Sequence, residues 1–596
     1  MSLSEPIYLD SAPGPAFALL DLPAGEATGT PVLFCPPWGW DEVASYRVRR
    51  EWAQGLAAAG HPTLRLSLPA TGNSGGMPGD PGLVESWIGS IAGAASWLGQ
   101  RTGGDRLAAV GLGLGGALTI AALAESAPID ALALWAVPAS GRHFIRETTA
   151  FSRMQAWHAE TDGEDPDAGM PEGWLEAGGF LLAPETMAAI RALRLDLAPE
   201  KAPSRALILG RDAVAPDAAL AEKLREAGTE VTLSPGPGWG AMTSHPERAV
   251  LPAEVVAELG SWLRDEPAGA ARGGSSISLS NRRAEVEVAA PQGPVREAAW
   301  MLEQPWGNAF GVLSRPEAEP AADLCAVFLD AGAVRNTGPS RLWVETARSW
   351  AARGVPSLRV DLEGIGEADG EPSPGLRVRD FYQPRFGPQV GAVLDELSRR
   401  GVGSRFLLVG LCAGGYWGFR VAVEDPRVRA AFLLNAGALR WHDDLIAERE
   451  ARKAPQALQG SQWRRLFAGE VSPRRALDVG GAMVRGMVRG GLLSFERSRG
   501  HALLKEVEGD LDRLRDSGTD LLVAFSGSEA LAAELEASAI PGQVATRWPN
   551  VELTDLPGDD HSLRPYAVQV AARRLLDDRL GRLLQRRAAT PSSTRA

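Results

Sequence analysis

VGLCAGGYWG, residues 409–418, closes a run of apolar residues and opens into small, glycine-rich sequence. Within RFLLVGLCAGGYWGFRVAVE, the order is a short apolar run, a glycine turn and then a helical pattern. That reads as strand, tight turn, helix. Cys412 stands at the tip of the turn, between Gly410 and Gly414. Such a turn lifts its tip residue above the end of a sheet and toward a pocket. Cys412 is therefore either a nucleophile or a small apolar residue that happens to sit in a turn, as free cysteines often do. The position at a helix N-terminus, with an imidazole nearby, favours thiolate and the first reading. The other two cysteines, Cys35 and Cys325, lie in or beside apolar strands and read as structural.

Outward from this turn, the chain repeats itself. VLFCPPWGW followed by RVRREWAQGLAAAGHPTLRLSLPATGNSGG occupies residues 32–76. AVFLDAGAV followed by RLWVETARSWAARGVPSLRVDLEGIGEADG occupies residues 326–370. Each copy reads as a buried strand, a turn, an amphipathic helix stopped at Gly60 or Gly354, a second strand and a glycine-containing loop. A further helix and an elbow follow in each, AAVGLGLGGALTIAA in the first half and LLVGLCAGGYWGFRVA in the second. Two copies of one α/β domain are expected at 1–265 and 284–585. Residues 266–283, rich in Gly, Ser and Ala, are expected to link them, and 586–596 to form a tail. Strands alternating with helices over short connections predict mostly parallel sheets flanked by helices, with the elbows at the carboxyl edges.

Composition narrows the function classes. The net charge is −13, which argues against a nucleic-acid partner, because phosphate binding needs a basic face. No apolar run is long enough to cross a membrane. MSLSEPIYLD has neither a basic nor an apolar leader region, so no secretory signal is expected. Three cysteines make no disulfide framework and no C-x-x-C pair, which fits a reducing cytoplasm and predicts no metal or other cofactor.

An elbow nucleophile needs a base, an orienting acid and N–H donors for an oxyanion. After the second elbow, DLLVAFSGSEALAAEL reads as a strand leading to Glu529, and VELTDLPGDDHSLRP as a strand leading to His561. Nucleophile, acid, histidine is the order such a site requires. Among the seven histidines of the chain, His561 stands in the loop where a base belongs. Its bland alternative is a solvated loop histidine. The backbone N–H groups of Ala413 and Ala331 are the expected oxyanion donors. The first half has Gly113 at its elbow tip, with Asp212 and His245 at the acid and base positions. It reads as a degenerate copy without a nucleophile.

A helical cap is expected at about 440–516. Residues 452–499 carry ten Lys or Arg against three acids in an otherwise acidic chain. Arg464, Arg465, Arg474 and Arg475 are either a solvated face or a lid that draws an anionic substrate or carrier inward.

These residues resemble the α/β-hydrolase superfamily, and GLCAGG with its cysteine also resembles dienelactone hydrolases. GLCAGG at 410–415, DAGAVRNTGPSRLWV at 330–344 and LRVDLEGIGEADG at 358–370 resemble bacterial hydrolases of the serine-aminopeptidase type linked to exosortase and exopolysaccharide gene clusters. LFCPPWGWDE, LRLSLPATGNSGG and LALWAVPASGRHFIRE in the first half resemble a companion type from similar clusters. The resemblance implies two tandem α/β-hydrolase domains, with Cys412 as nucleophile, His561 as base and Glu529, in place of the more usual Asp, as acid. It implies an acyl-transfer enzyme acting on an ester, thioester or amide through a Cys-linked acyl-enzyme. Two alternatives stay open: an acyltransferase or cyclase that resolves the thioester with an amine or alcohol, and a non-catalytic pseudo-hydrolase acting as a scaffold. The expected partner is a small-molecule or carrier-bound acyl substrate, with a homodimer left open.

Overall fold

The computed structural model describes every residue except 1–2, 26, 28, 104–105, 162–168, 265–284, 319–322, 330–331, 371–376, 443–444, 446–492, 528 and 589–596. Ala331 and the four arginines of the expected lid lie outside the described residues, as do most of the expected cap and the whole expected linker.

Among the described residues, the first half is built on eight strands: β1 (Leu3–Leu9), β2 (Ala16–Leu22), β3 (Val32–Cys35), β4 (Thr63–Leu66), β5 (Ala108–Leu112), β6 (Ala131–Trp135), β9 (Arg205–Leu209) and β10 (Glu230–Ser234), with a separate small hairpin of β7 (Leu175–Ala177) and β8 (Phe180–Leu182). The sheet order is β1-β2-β4-β3-β5-β6-β9-β10. The second half uses β11 (Val286–Val288), β12 (Val295–Gln304), β13 (Gly307–Pro316), β14 (Leu324–Leu329), β15 (Ser357–Asp361), β16 (Arg405–Leu411), β17 (Val428–Leu434), β18 (Asp520–Ser526) and β19 (Val551–Leu556). Its order, β11-β12-β13-β15-β14-β16-β17-β18-β19, repeats the first with one strand added at the edge. In both sheets the N-terminal strands pair antiparallel and the rest are parallel.

The central strands β3, β5, β6 and β14 are apolar along their whole length because helices cover both faces. In β16, Phe406 and Leu408 face the helices Phe386–Arg399 and Ala413–Glu424, while Leu407, Val409 and Leu411 face the helices Leu342–Ala352 and Tyr566–Ala588. Burying each such side chain contributes roughly 1.5–3 kcal/mol. Cys35 and Cys325 are fully buried in β3 and β14, and burial pushes both thiols up to about 12. They pack as small apolar residues.

The halves meet through an exchange of arginines that no local sequence pattern marks. Arg47, on the helix Trp40–Ala58, donates to the carbonyls of Gly366 and Gly370 at 3.2 Å and of Ala368 at 3.0 Å. Arg341, at the start of the matching helix in the other half, donates to the carbonyls of Gly72 at 2.9 Å and of Ser74 and Gly76 at 3.3 Å. Each half thus clasps the glycine loop that follows β4 or β15 in the other, in the reciprocal pattern of an isologous contact. Two strand arginines repeat the exchange. Arg65 of β4 donates to Glu367 Oε1 at 2.5 Å and Oε2 at 2.9 Å, and Arg359 of β15 donates to Asn73 Oδ1 at 2.6 Å. Behind them, Asp21 accepts from Arg65 at 2.7 Å, and Glu297 from Arg359 and Arg348 at 2.9 and 2.7 Å. Around this polar core, Tyr8, Phe17 and Leu19 pack on Val295, Phe310 and Val312 of the second half.

Candidate active site

β16 ends at Cys412, whose φ of 55° and ψ of −117° fall outside the regions that L-residues favour. Strain of this kind amounts to about 1–3 kcal/mol and gathers at functional positions. Close approach of the turn to its own helix holds it: a Cβ on Gly410 would stand 2.2 Å from the Gly414 carbonyl oxygen. Gly113, after β5, adopts nearly the same conformation, φ 53° and ψ −126°. The backbone of the elbow is thus present in both halves.

This settles the architecture. The chain carries the α/β-hydrolase fold twice. In each copy the elbow follows the central strand that lies between β3 and β6 or between β14 and β17. No protein-family model matches the chain, and no curated protein matches it. Solved structures do match. Proline iminopeptidase of Mycobacterium smegmatis is 18% identical, the match covering 47% of this chain and 98% of that one with a TM-score of 0.30. Alpha/beta hydrolase domain-containing protein 10 from mouse is 16% identical over 48% of this chain and 99% of its own, TM-score 0.28. A carboxylesterase structure from the thaumarchaeon Nitrososphaera gargenis is 16% identical over 48% of this chain and 98% of its own, TM-score 0.29.

In the second α/β-hydrolase half, the loops after β18 and β19 bring Glu529 and His561 together. Glu529 Oε1 lies 2.7 Å from His561 Nδ1. With Nδ1–H donated to that carboxylate, Nε2 is the nitrogen left for a thiol proton. The Cys412 sulfur is also a near neighbour of the ring and acts on its charge. Burial pulls the imidazole's pKa down, but the neighbouring Cys412 sulfur and the Glu529 carboxylate outweigh this and push it up to about 11. Ala413 opens the helix Ala413–Glu424 and is buried at the elbow. Its N–H belongs to the first helical turn, where the helix itself supplies no acceptor. Aromatic side chains flank the sulfur. The Tyr382 hydroxyl lies 3.9 Å from Cys412 Sγ, and its ring stacks on Trp441 at 4.1 Å and meets Tyr416 at 5.1 Å.

Asn435, absent from the residues expected at the site, follows β17 with φ 42° and is fully buried. Its Nδ2 donates to Ser526 Oγ at 2.7 Å and to the His561 carbonyl at 2.9 Å. Its Oδ1 accepts from the Ser526 N–H at 2.7 Å. One amide therefore ties the ends of β17 and β18 to the loop that bears the imidazole. A polar residue closing an apolar strand, in AAFLLNAG, was the available signal. In the first half the matching position after β6 is Ala136, also at positive φ, with no group to make such bonds. Asn435→Ala is expected to lower kcat about 10- to 100-fold, since small misplacements of a catalytic group have effects of that size. It should also destabilise the fold by about 1–3 kcal/mol, through the buried groups left unpaired. Steady-state kinetics beside urea unfolding would read the two effects separately.

In the first half, expected as a degenerate copy, Asp212 and His245 make separate contacts. Both carboxylate oxygens of Asp212 accept backbone N–H groups, from Gly238 at 2.7 Å and Gly240 at 2.9 Å. They shape the turn into the short helix Trp239–Met242, and His245 comes only after that helix. His245 lies against Trp40, with ring centres 5.9 Å apart and the planes tilted by 57°, and burial lowers its pKa. Trp239 is buried, and its ring lies 3.5 Å from where a Cβ on Gly113 would stand. Asp212 and His245 matched an order of elements, but the backbone demands of the turn took the acid and an indole took the space.

Proposed function

We propose that the second half is a hydrolase that works through Cys412. One observation carries this reading: a strained elbow cysteine beside an imidazole that is itself held by Glu529 at 2.7 Å. His561 takes the thiol proton, and the sulfur attacks the carbonyl carbon of an ester, thioester or amide. A C–S bond forms and the carbonyl electrons move to oxygen. The Ala413 N–H supports that oxyanion, with Ala331 as its expected companion donor. Collapse of the tetrahedral species expels the alcohol, thiol or amine, which leaves with the proton from His561. Water then attacks the thioester with His561 again as base, the C–S bond breaks, and the acid departs. Resolution by an amine or alcohol in place of water would make the same site a transferase.

Among the described residues no helix is long and apolar enough to cross a membrane. A panel of p-nitrophenyl esters and acyl-thioesters, followed by intact-protein mass spectrometry, tests the proposal. An acyl adduct should map to Cys412, and added amines should divert product from acid to amide if transfer competes. Turnover without any adduct at Cys412 would end the covalent reading.

A further inference from the structure

His561 stands on a loop that the second half alone does not hold. From within that half, Asn435 bonds the His561 carbonyl, and Ser526 Oγ donates to the Asp560 carbonyl at 3.0 Å. Asp560 holds Arg564 through both Nε and Nη2, at 3.0 and 2.7 Å. The outer side of the loop rests on the first half. The guanidinium of Arg564 lies over the Trp40 ring, 5.2 Å from its centre. The backbone N–H of Tyr566 donates to Glu176 Oε2 at 3.1 Å. Gln569 Nε2 donates both to the Gly179 carbonyl at 3.1 Å and to the Arg564 carbonyl at 2.5 Å. Ser340 Oγ donates to the Gly178 carbonyl at 3.2 Å.

Glu176, Gly178 and Gly179 belong to the β7–β8 hairpin, whose tip enters the second half beside this loop. Both tip glycines have positive φ, 63° and 85°. At Gly179 there is no room for a side chain: a Cβ would lie 2.2 Å from Ser340 Oγ and 2.4 Å from the Arg564 carbonyl oxygen. The hairpin tip is thus fitted to the second half at a place three residues from the imidazole.

We propose that the first half, which has no nucleophile of its own, acts as a positioning element for the second: Trp40 and the β7–β8 hairpin tip fix the Asp560–Tyr566 loop and with it His561. Trp40 and Gly179 are positioning residues, because they act through Arg564 and the loop and touch no reacting atom. The effect on turnover rests on the reading of Cys412 and His561 given above, whereas the effect on the loop does not.

The test uses the full chain with Trp40→Ala, Trp40→Phe and Gly179→Ala. Its first readout is the titration of His561 by NMR of histidine-labelled protein, which needs no catalysis. The groups that face this imidazole are Glu529 and Cys412, with Asp559, Asp560 and Arg564 on its own loop. In Trp40→Ala and Gly179→Ala the imidazole should titrate at lower pH than in the parent chain, as its bond to Glu529 and its approach to Cys412 loosen. Trp40→Phe, which keeps an aromatic face for Arg564, should titrate like the parent. The second readout is ester hydrolysis: kcat should fall about 10- to 100-fold with KM within about twofold. If Gly179→Ala does not fold, the Trp40 pair decides alone. Unchanged titration and kcat in Trp40→Ala overturn the proposal. A shifted titration in a protein whose parent shows no Cys412-dependent turnover supports the positioning and overturns the assigned reaction instead.

Discussion

A Cys412→Ala protein is expected to lose turnover by a factor on the order of 10⁴–10⁶, as enzymes do when the nucleophile of a triad is removed. The fold should survive, because Cys412 is only partly buried and its backbone is the one that Gly113 adopts at the other elbow. Relief of the strained φ is not available to alanine, so little change in stability is expected. Cys412→Ser discriminates more finely. The hydroxyl keeps the geometry, but a site set for a sulfur nucleophile need not supply a base strong enough for an oxygen one. Its activity should lie far below the parent and above the alanine variant. Rates for one ester across the three proteins check this, and full activity in Cys412→Ala would remove the covalent mechanism altogether.

The second large effect is on stability, at Glu367. Arg65 and Glu367 are both buried, and removing Glu367 leaves Arg65 only Asp21 and leaves Arg50 only Asp369. Glu367→Ala is expected to destabilise the protein by about 3–5 kcal/mol. A pH signature distinguishes this from simple loss of packing. Burial would raise the Glu367 carboxyl, but Arg65, and behind it Arg50, hold it down at about 2. A carboxylate with a depressed folded-state pKa adds stability above its ordinary pKa near 4.5, and that stability is lost as pH falls toward about 2. The same holds for Glu297, kept at about 2 by Arg348 and Arg359. Each shift corresponds to roughly 3 kcal/mol at neutral pH. Asp21 behaves oppositely, since its burial outweighs its share of Arg65 and raises its carboxyl. Acid unfolding followed by tryptophan fluorescence should therefore show the parent losing stability between about pH 4.5 and 2. Glu367→Gln should start lower and lose less over that window. Parallel acid transitions in the two proteins would count against the assigned role of Arg65.

The repeat, the two elbows and the parallel strands were readable because each rests on local rules. Gly60 and Gly354 stop helices, uniformly apolar runs make doubly covered strands, and Gly410 and Gly414 bracket one tip residue. The antiparallel strands β1, β2 and β11–β13 were not identified. Glu297 shows why: a carboxylate in a strand reads as a solvent-facing position, yet this one is fully buried between two guanidinium groups that arrive from β15 and the helix Leu342–Ala352. Nothing near it in sequence announces those partners. The contacts of Asp212 and His245 were hidden for a related reason. Order along the chain located their loops, while the direction of the Asp212 carboxylate was decided by two glycine N–H groups. Asn435 was hidden because its value lies in three bonds to segments far along the chain.

The exchanged arginines also have a consequence for how the chain is made. Arg65 and the carboxylate that neutralises it across the interface are 302 residues apart. At the roughly 5–20 residues per second of ribosomal synthesis, one precedes the other by on the order of 15–60 s. Through that interval the nascent first half presents Arg47, Arg50 and Arg65 to water, beside an apolar face of Tyr8, Phe17 and Leu19 that awaits its cover. Completion of the first half's surface is thus a late event of translation, set by the arrival of the loop that carries Glu367.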